Sequence, residues 1–206
     1  DSDLSALFDV LSSVKDSNGN PAVYTPLCVV ANPDFCRIRE NGFEEYFYET
    51  TSDTYLHYAG SDNAQKIAQQ GICDKVWAPQ FHGREHIQVR RYLKALCPST
   101  PLELLCFENQ AVLGFVNYEI DYFPAFAIDD SNDIPVLSSI IKSGLELFEK
   151  MYGYAAISFC PPCGIVNSRL FRTFDVCGVK NLQAGQYISP EGNGKIRHFQ
   201  YHWGHR

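Results

Sequence analysis

Three apolar runs of strand length alternate with segments of helical periodicity, and that alternation restricts the chain to a small set of folds. The runs are residues 22–31 (Ala-Val-Tyr-Thr-Pro-Leu-Cys-Val-Val-Ala), 76–81 (Val-Trp-Ala-Pro-Gln-Phe) and 154–159 (Tyr-Ala-Ala-Ile-Ser-Phe). The first is almost continuously apolar, the pattern of a strand covered on both faces in a parallel sheet, stopped by Asn32-Pro33-Asp34. Helices are expected over 3–14, where Leu4, Leu7, Phe8 and Leu11 share a face, around 62–71, and over 84–96 with Ile87, Val89, Tyr92, Leu93 and Leu96. The clearest amphipathic stripe runs through 134–152 (Ile134, Leu137, Ile140, Ile141, Leu145, Phe148, Met151). A further helix near 167–176 and a short strand over 179–183 close the pattern, while 101–128 fits neither period. Strand, loop and helix in this order predict a parallel α/β fold, with a barrel or partial barrel favoured over an open sheet. A chain of 206 residues that is 45% hydrophobic can build this as one domain, 1–206.

Charge removes some function classes. The formal net charge is -7, and no cationic cluster exceeds Arg90-Arg91, so nucleic acid and anionic membrane are excluded as main partners. No apolar stretch approaches the ~20 residues of a membrane span. Asp1-Ser2-Asp3-Leu4 carries no signal-peptide pattern, which favours a cytoplasmic location. The chain opens inside a helical pattern and closes at His202-Trp203-Gly204-His205-Arg206, so both ends read as cut from a longer protein. Eight cysteines, several in apolar runs, read mostly as reduced core residues rather than a disulfide framework.

The residues with most chemistry are His82-Gly83-Arg84-Glu85-His86, at the end of the second apolar run. Two imidazoles four residues apart lie on one face if the segment is helical, and can then hold one transition-metal ion through neutral ring nitrogens. The carboxyl end of a strand is where α/β barrels and open α/β sheets place their sites. A metal-dependent hydrolase is the leading reading. Arg84 and Glu85 would orient the histidines, or begin a helix with favourable charge. Asp129-Asp130 reads as a helix-start region rather than a ligand pair.

The blocks Leu4–Asp16, Cys28-Val-Val-Ala-Asn-Pro-Asp-Phe35 and Pro79-Gln-Phe-His-Gly-Arg-Glu-His86 together resemble bacterial polysaccharide deacetylase-like proteins, the group that includes nodulation-type chitooligosaccharide deacetylases. The resemblance implies a deformed (β/α) barrel and a divalent metal, zinc by preference, held by an aspartate and two histidines, here His82 and His86. It implies a glycan substrate that loses N- or O-linked acetyl groups. Substrate contacts would come from Asn32, Arg84, Pro161 and Pro162, the last two in a loop resembling the family's groove wall. The chain departs from the family in two respects. The family's aspartate pair lies on a first strand ahead of anything seen here, so the chain reads as a fragment without that motif. Cys160 and Cys163 also stand where the family usually has an arginine and an aromatic residue.

Three other readings remain. His-x-x-Glu-His also fits inverted zincin peptidases, which need both histidines on one long helix and a downstream ligand such as Glu146 or Glu149. Cys160-Pro-Pro-Cys163 after a strand is a thioredoxin-like cue. A catalytically inactive carbohydrate-binding homologue would use the aromatic stretch 43–58 to stack sugar rings. His198, His202 and His205 would be available as acids near the end of the chain.

Overall fold

A computed structural model describes residues 1–97, 99–112 and 121–184, together with the backbone of short strand segments at 115–116, 120, 187–188 and 197–198. Helix α1 (Ser2–Ser13) is followed by strands β1 (Leu27–Val29) and β2 (Ala31–Pro33). Next come α2 (Phe35–Glu40), β3 (Tyr48–Thr50), α3 (Thr51–Leu56), α4 (Ala64–Cys73) and β4 (Gln80–Gly83). Helices α5 (Val89–Leu96) and α6 (Pro101–Glu108), the small strands β5 (Phe115–Val116) and β6 (Ile120–Asp121), and the long α7 (Asp133–Tyr152) follow. Strand β7 (Ser158–Phe159), two 3-10 turns, α8 (Phe171–Val176) and β8 (Asn181–Leu182) lead to a last antiparallel pair, β9 (Tyr187–Ile188) and β10 (Arg197–His198).

The central sheet is parallel throughout and has the order β1-β4-β7-β8. Spatial order equals chain order, so every crossover steps the same way across the sheet, and no topological switch point arises. The architecture is therefore mixed α/β with a parallel sheet, as the alternation predicts. Among the described residues β1 and β8 do not pair, and the sheet does not close on itself.

The first apolar run departs from expectation. It lies at the sheet edge, so Val23, Tyr24 and Leu27 are exposed and only Val30 and Ala31 are fully buried. After Val29 the chain leaves the parallel sheet, and Asn32-Pro33, expected with Asp34 to stop the strand, instead joins Ala31 in β2 and pairs antiparallel with Tyr48–Thr50. Residues 101–108, which matched no period, form α6 because Thr100 and Glu103 make a capping box around Pro101 at the first turn. The cysteines also differ from expectation. All eight are free thiols, but none is fully buried, and Cys36, Cys73, Cys97 and Cys163 are exposed.

The main core lies between α7 and the sheet. Leu137, Ile140, Ile141, Leu145, Phe148 and Met151 recur at three- and four-residue spacing on α7 and meet Phe81 of β4, Phe159 of β7 and Phe174 of α8. Each such buried side chain contributes about 1.5–3 kcal/mol of hydrophobic stabilisation. A second cluster, Ile38, Ile87, Tyr92, Leu96, Phe107 and Tyr122, supports α5 and α6. Among the described residues no helix is long and apolar enough to cross a membrane.

Gly144 lets α7 approach the end of β4. A Cβ there would stand 2.9 Å from both Arg84 Cβ and Phe81 Cζ. Gly144→Val should therefore destabilise the protein by about 1–3 kcal/mol through overpacking, read as a lower midpoint in urea denaturation. An unchanged midpoint would show that α7 is free to move off the strand.

Candidate functional site

The histidine pair is not helical. His82 is in β4 and His86 in the bend before α5, which begins only at Val89 rather than at 84. Gly83 makes this possible: its φ of 134° is closed to other residues, and a Cβ would sit 3.0 Å from the Glu85 carbonyl oxygen. The same residue faces a register shift in the β1–β4 pairing, between Cys28 and Val29. A bulge beside the end of a strand re-aims side chains. Here it folds the chain back so that the two imidazole centroids lie 5.1 Å apart, tilted by 57°. The inverted-zincin geometry, with both histidines on one long helix, is thereby excluded, and Glu146 and Glu149 lie on the exposed face of α7.

His82 is oriented by the loop after β7. Its Nδ1 lies 2.7 Å from the Cys160 carbonyl oxygen, while the Cys160 amide donates to the Phe81 carbonyl. A carbonyl only accepts, so Nδ1 carries the proton and Nε2 carries the lone pair. Burial lowers the His82 pKa, with the Cys160 hydrogen bond opposing and the neighbouring His86 adding to the shift. The other imidazole packs edge-on against Phe123, with centroids 5.6 Å apart.

Behind the pair lies a buried ion pair. Arg84 is 8% exposed and Glu85 2%. The guanidinium donates through Nε and Nη2 to both carboxylate oxygens at 2.6 Å, and through Nη1 to Ser143 Oγ of α7 at 3.1 Å. Its plane lies over Tyr48 of β3, 4.1 Å from the ring centroid. Burial pushes the Glu85 pKa up against the opposing pull of Arg84, and Tyr46 beside it is pushed well up by the same desolvation. The carbonyl of Arg84 also accepts from the amides of Val30 and Ala31. Arg84, expected to touch substrate, thus has its donors engaged inside the protein.

A cleft of about 320 Å³ opens beside His86. Asn32, expected as a substrate contact, lines it together with Glu49, Thr54, His57, Glu85 and Phe123. Asn32 Nδ2 donates to Thr54 Oγ1 (3.0 Å), which donates to Glu49 Oε1 (2.7 Å), and His57 Nδ1 lies 3.6 Å from the same oxygen. Glu49, Thr54 and His57 were not singled out by sequence. The one local signal was the Thr50/Asp53 capping box that begins α3 and sets Thr54 one turn in. Pro161 and Pro162 are buried behind Cys160 and do not line this cleft.

Other sequence candidates fall elsewhere. Asp129 accepts from Arg91 Nε and Nη2 at 2.7 and 2.5 Å, and Asp130 pairs with Arg90 at 3.2 Å, so the acidic pair ties the start of α7 to α5. Burial raises the Cys160 and Cys163 thiols, the opposite of what an activated redox thiolate requires. Of the aromatic stretch, Phe43, Tyr46 and Phe47 pack on the core, whereas Tyr58 is exposed at the cleft. The side chains of His198, His202 and His205 lie outside the described residues.

No family model matches the chain, and no curated protein matches it. Among solved structures the chain is similar to IcaB from Ammonifex degensii, with 7% identity and a TM-score of 0.34, over 56% of this chain and 36% of that one. The chain thus spans about a third of the length of the structure it matches.

The fit to a metal can be tested on the pair. Two imidazoles bound tetrahedrally at metal–nitrogen distances of about 2.0–2.1 Å place their ring centroids about 5 Å apart. The observed 5.1 Å fits, as does a free Nε2 on a histidine whose Nδ1–H is fixed by a carbonyl. Among the described residues no group of three or more His, Cys, Asp or Glu is arranged around one ion. The pair therefore contributes two donors.

Two outcomes follow. His82 in metal-free protein should titrate below the ordinary histidine value near 6.5, by NMR of its ring protons. Because the folded pKa is depressed, the associated stability is present above the unfolded value and is lost as pH falls through the folded one. A midpoint at or above 6.5 would contradict the burial argument. Separately, Arg84→Met or Glu85→Met should each cost about 3–5 kcal/mol, since each strands a buried partner, and the double variant far less than their sum. Additive losses in denaturant melts would mean that the pair is not coupled.

Proposed function

We propose that the protein is a metal-dependent hydrolase of the polysaccharide deacetylase type, which removes acetyl groups from an N- or O-acetylated glycan. The observation that carries this reading is the approach of His82 and His86 to ligand spacing at the carboxyl end of a parallel strand, with Nε2 of His82 left free. In this reading the four parallel strands form an arc of a deformed (β/α) barrel. A zinc or similar divalent ion, when bound, supplies Lewis acidity toward the acetyl carbonyl and a water of lowered pKa.

The chain's own residues hold and orient. His82 and His86 are the imidazole donors. The Cys160 carbonyl fixes the His82 tautomer, and Pro161 and Pro162 stiffen the loop that carries this carbonyl. Arg84 acts through Glu85: their buried pair fixes the bend on which His86 sits. Asn32 faces the glycan from the cleft wall. Phe123 limits the rotation of His86 and excludes water from one side.

Elemental analysis of the purified protein should find about one equivalent of zinc or a similar ion, lost in the double variant His82→Ala/His86→Ala without loss of fold. Acetate release from acetylated chito-oligosaccharides should disappear with it. Full metal occupancy in the double variant would overturn the site. Metal bound by the pair without acetate release would favour the second reading, a homologue that binds glycan without turnover, which the sugar-sized cleft beside His86 also suits.

A further inference from the structure

The thiols of Cys160-Pro161-Pro162-Cys163 take no part in the hydrolytic reading, which uses only one backbone oxygen of this loop. That oxygen is the Cys160 carbonyl, 2.7 Å from Nδ1 of His82, and the Cys160 amide donates to the Phe81 carbonyl. The residue carrying the first thiol is thus bound to β4 through both of its backbone polar atoms. Its thiol is half-buried, that of Cys163 is exposed, and both are free. After Pro161 the chain makes two overlapping tight turns, with the Gly164 amide donating to Pro161 and that of Ile165 to Pro162. Cys163 sits inside them at φ 55° and ψ 15°, the left-handed region that a residue with a side chain seldom occupies.

We infer that Cys160 and Cys163 form a thiol–disulfide switch that sets the orientation of His82 and, resting on the proposed metal reading, regulates that same site. A disulfide holds its two Cα atoms about 4.4–6.8 Å apart, and the chain between them must meet that distance. Pro161 and Pro162 fix two of the intervening φ angles at about −65°. Ring closure therefore falls on the remaining dihedrals: ψ of Cys160, Pro161 and Pro162, and φ of Cys163. The first of these turns the Cys160 carbonyl. A bond between two side chains is thereby coupled to the oxygen that holds the Nδ1 proton of His82. With that oxygen turned away, the imidazole is free to rotate or change tautomer. Loss of such a supporting contact costs a histidine ligand about 10–100-fold in metal affinity.

The oxidant is a small-molecule disulfide such as oxidised glutathione. Cys163, as thiolate, attacks one of its sulfurs, the glutathione S–S bond breaks, and one glutathione leaves as a thiol on taking up a proton. The Cys160 thiolate then attacks the Cys163 sulfur of the mixed disulfide, closes the ring and expels the second glutathione thiol. Two protein thiols are oxidised, one glutathione disulfide is reduced to two thiols, and excess thiol reverses the exchange. Burial holds both protein thiols protonated, so the exchange is slow. That suits a switch set by the standing balance of thiol and disulfide, not a redox catalyst.

The test compares reduced protein with protein equilibrated in excess oxidised glutathione, beside the variant Cys163→Ser. Peptide mass mapping should find the Cys160–Cys163 bond, separate from any modification of the exposed Cys36, Cys73 and Cys97. NMR of the ring nitrogens in metal-free protein, at a pH where the ring is neutral, should place the His82 proton on Nδ1 when reduced and lose that signature when oxidised. Zinc affinity should fall about 10–100-fold on oxidation and return with dithiothreitol. Cys163→Ser should match the reduced protein under both conditions. Absence of the Cys160–Cys163 bond after equilibration overturns the inference. So do unchanged His82 ring signals in the oxidised protein, or an affinity that falls equally in Cys163→Ser. Zinc bound by neither form would overturn the proposed metal site instead, and the ring signals would still decide the switch.

Discussion

The buried pair of Arg84 and Glu85 is the interaction on which the rest of this end of the molecule depends. Adjacent residues in a helix or strand do not normally meet head to head, yet here the bend after Gly83 brings guanidinium and carboxylate together in a two-pronged contact. Two ions taken from water are costly unless every donor and acceptor is used. The structure uses them: Ser143 takes the remaining guanidinium nitrogen, Tyr48 covers its face, and Tyr46 lies against the carboxylate. Three separate parts of the chain, the segment from Tyr46 into β3, the bend after β4 and α7, are thereby gathered at one turn.

The backbone of that turn matters as much as the charges. One carbonyl, that of Arg84, accepts from two successive amides, Val30 and Ala31. This is the point where the first apolar run stops following β4 and turns away to pair with β3. The edge position of β1, the departure of β2 and the opening of the cleft between Asn32 and His86 are therefore consequences of one local arrangement. Gly83 permits it, and Gly144 lets α7 close over it.

Periodicity made the framework legible. The stripe from Leu137 to Met151 is the buried face of α7, and the runs ending at Phe81 and Phe159 are adjacent parallel strands. Helix α6 was missed because its apolar residues do not form a stripe; its signal lay in Thr100, Pro101 and Glu103, a cap rather than a period. The first apolar run contains β1 only at Leu27–Val29, at the sheet edge rather than covered on both faces, since an apolar run looks the same at the centre or edge of a sheet. The spacing of the histidines predicts a helical pair, and the structure unites them by a glycine turn instead. Four-residue spacing singles out the two histidines, but the helical geometry behind that spacing does not apply here. Glu49 and His57 were beyond sequence reasoning, because only the pairing of β2 with β3 carries them toward Asn32.

The donor count at the histidines constrains any chemistry built on them. Glu85 is the carboxylate nearest in sequence, but enlisting it would strand Arg84 in the interior, at a cost of several kcal/mol. Asp129 and Asp130 are already held by Arg91 and Arg90, and freeing them would loosen the start of α7. Glu49 is committed at one oxygen to Thr54. Each of these four carboxylates thus has a structural task that ligation would disturb. A metal centre here must take its remaining ligands from solvent, from substrate, or from chain beyond the described residues. The first two would leave the ion weakly held and exchangeable, whereas an added carboxylate would hold it firmly, so the strength of metal retention against a chelator distinguishes between them.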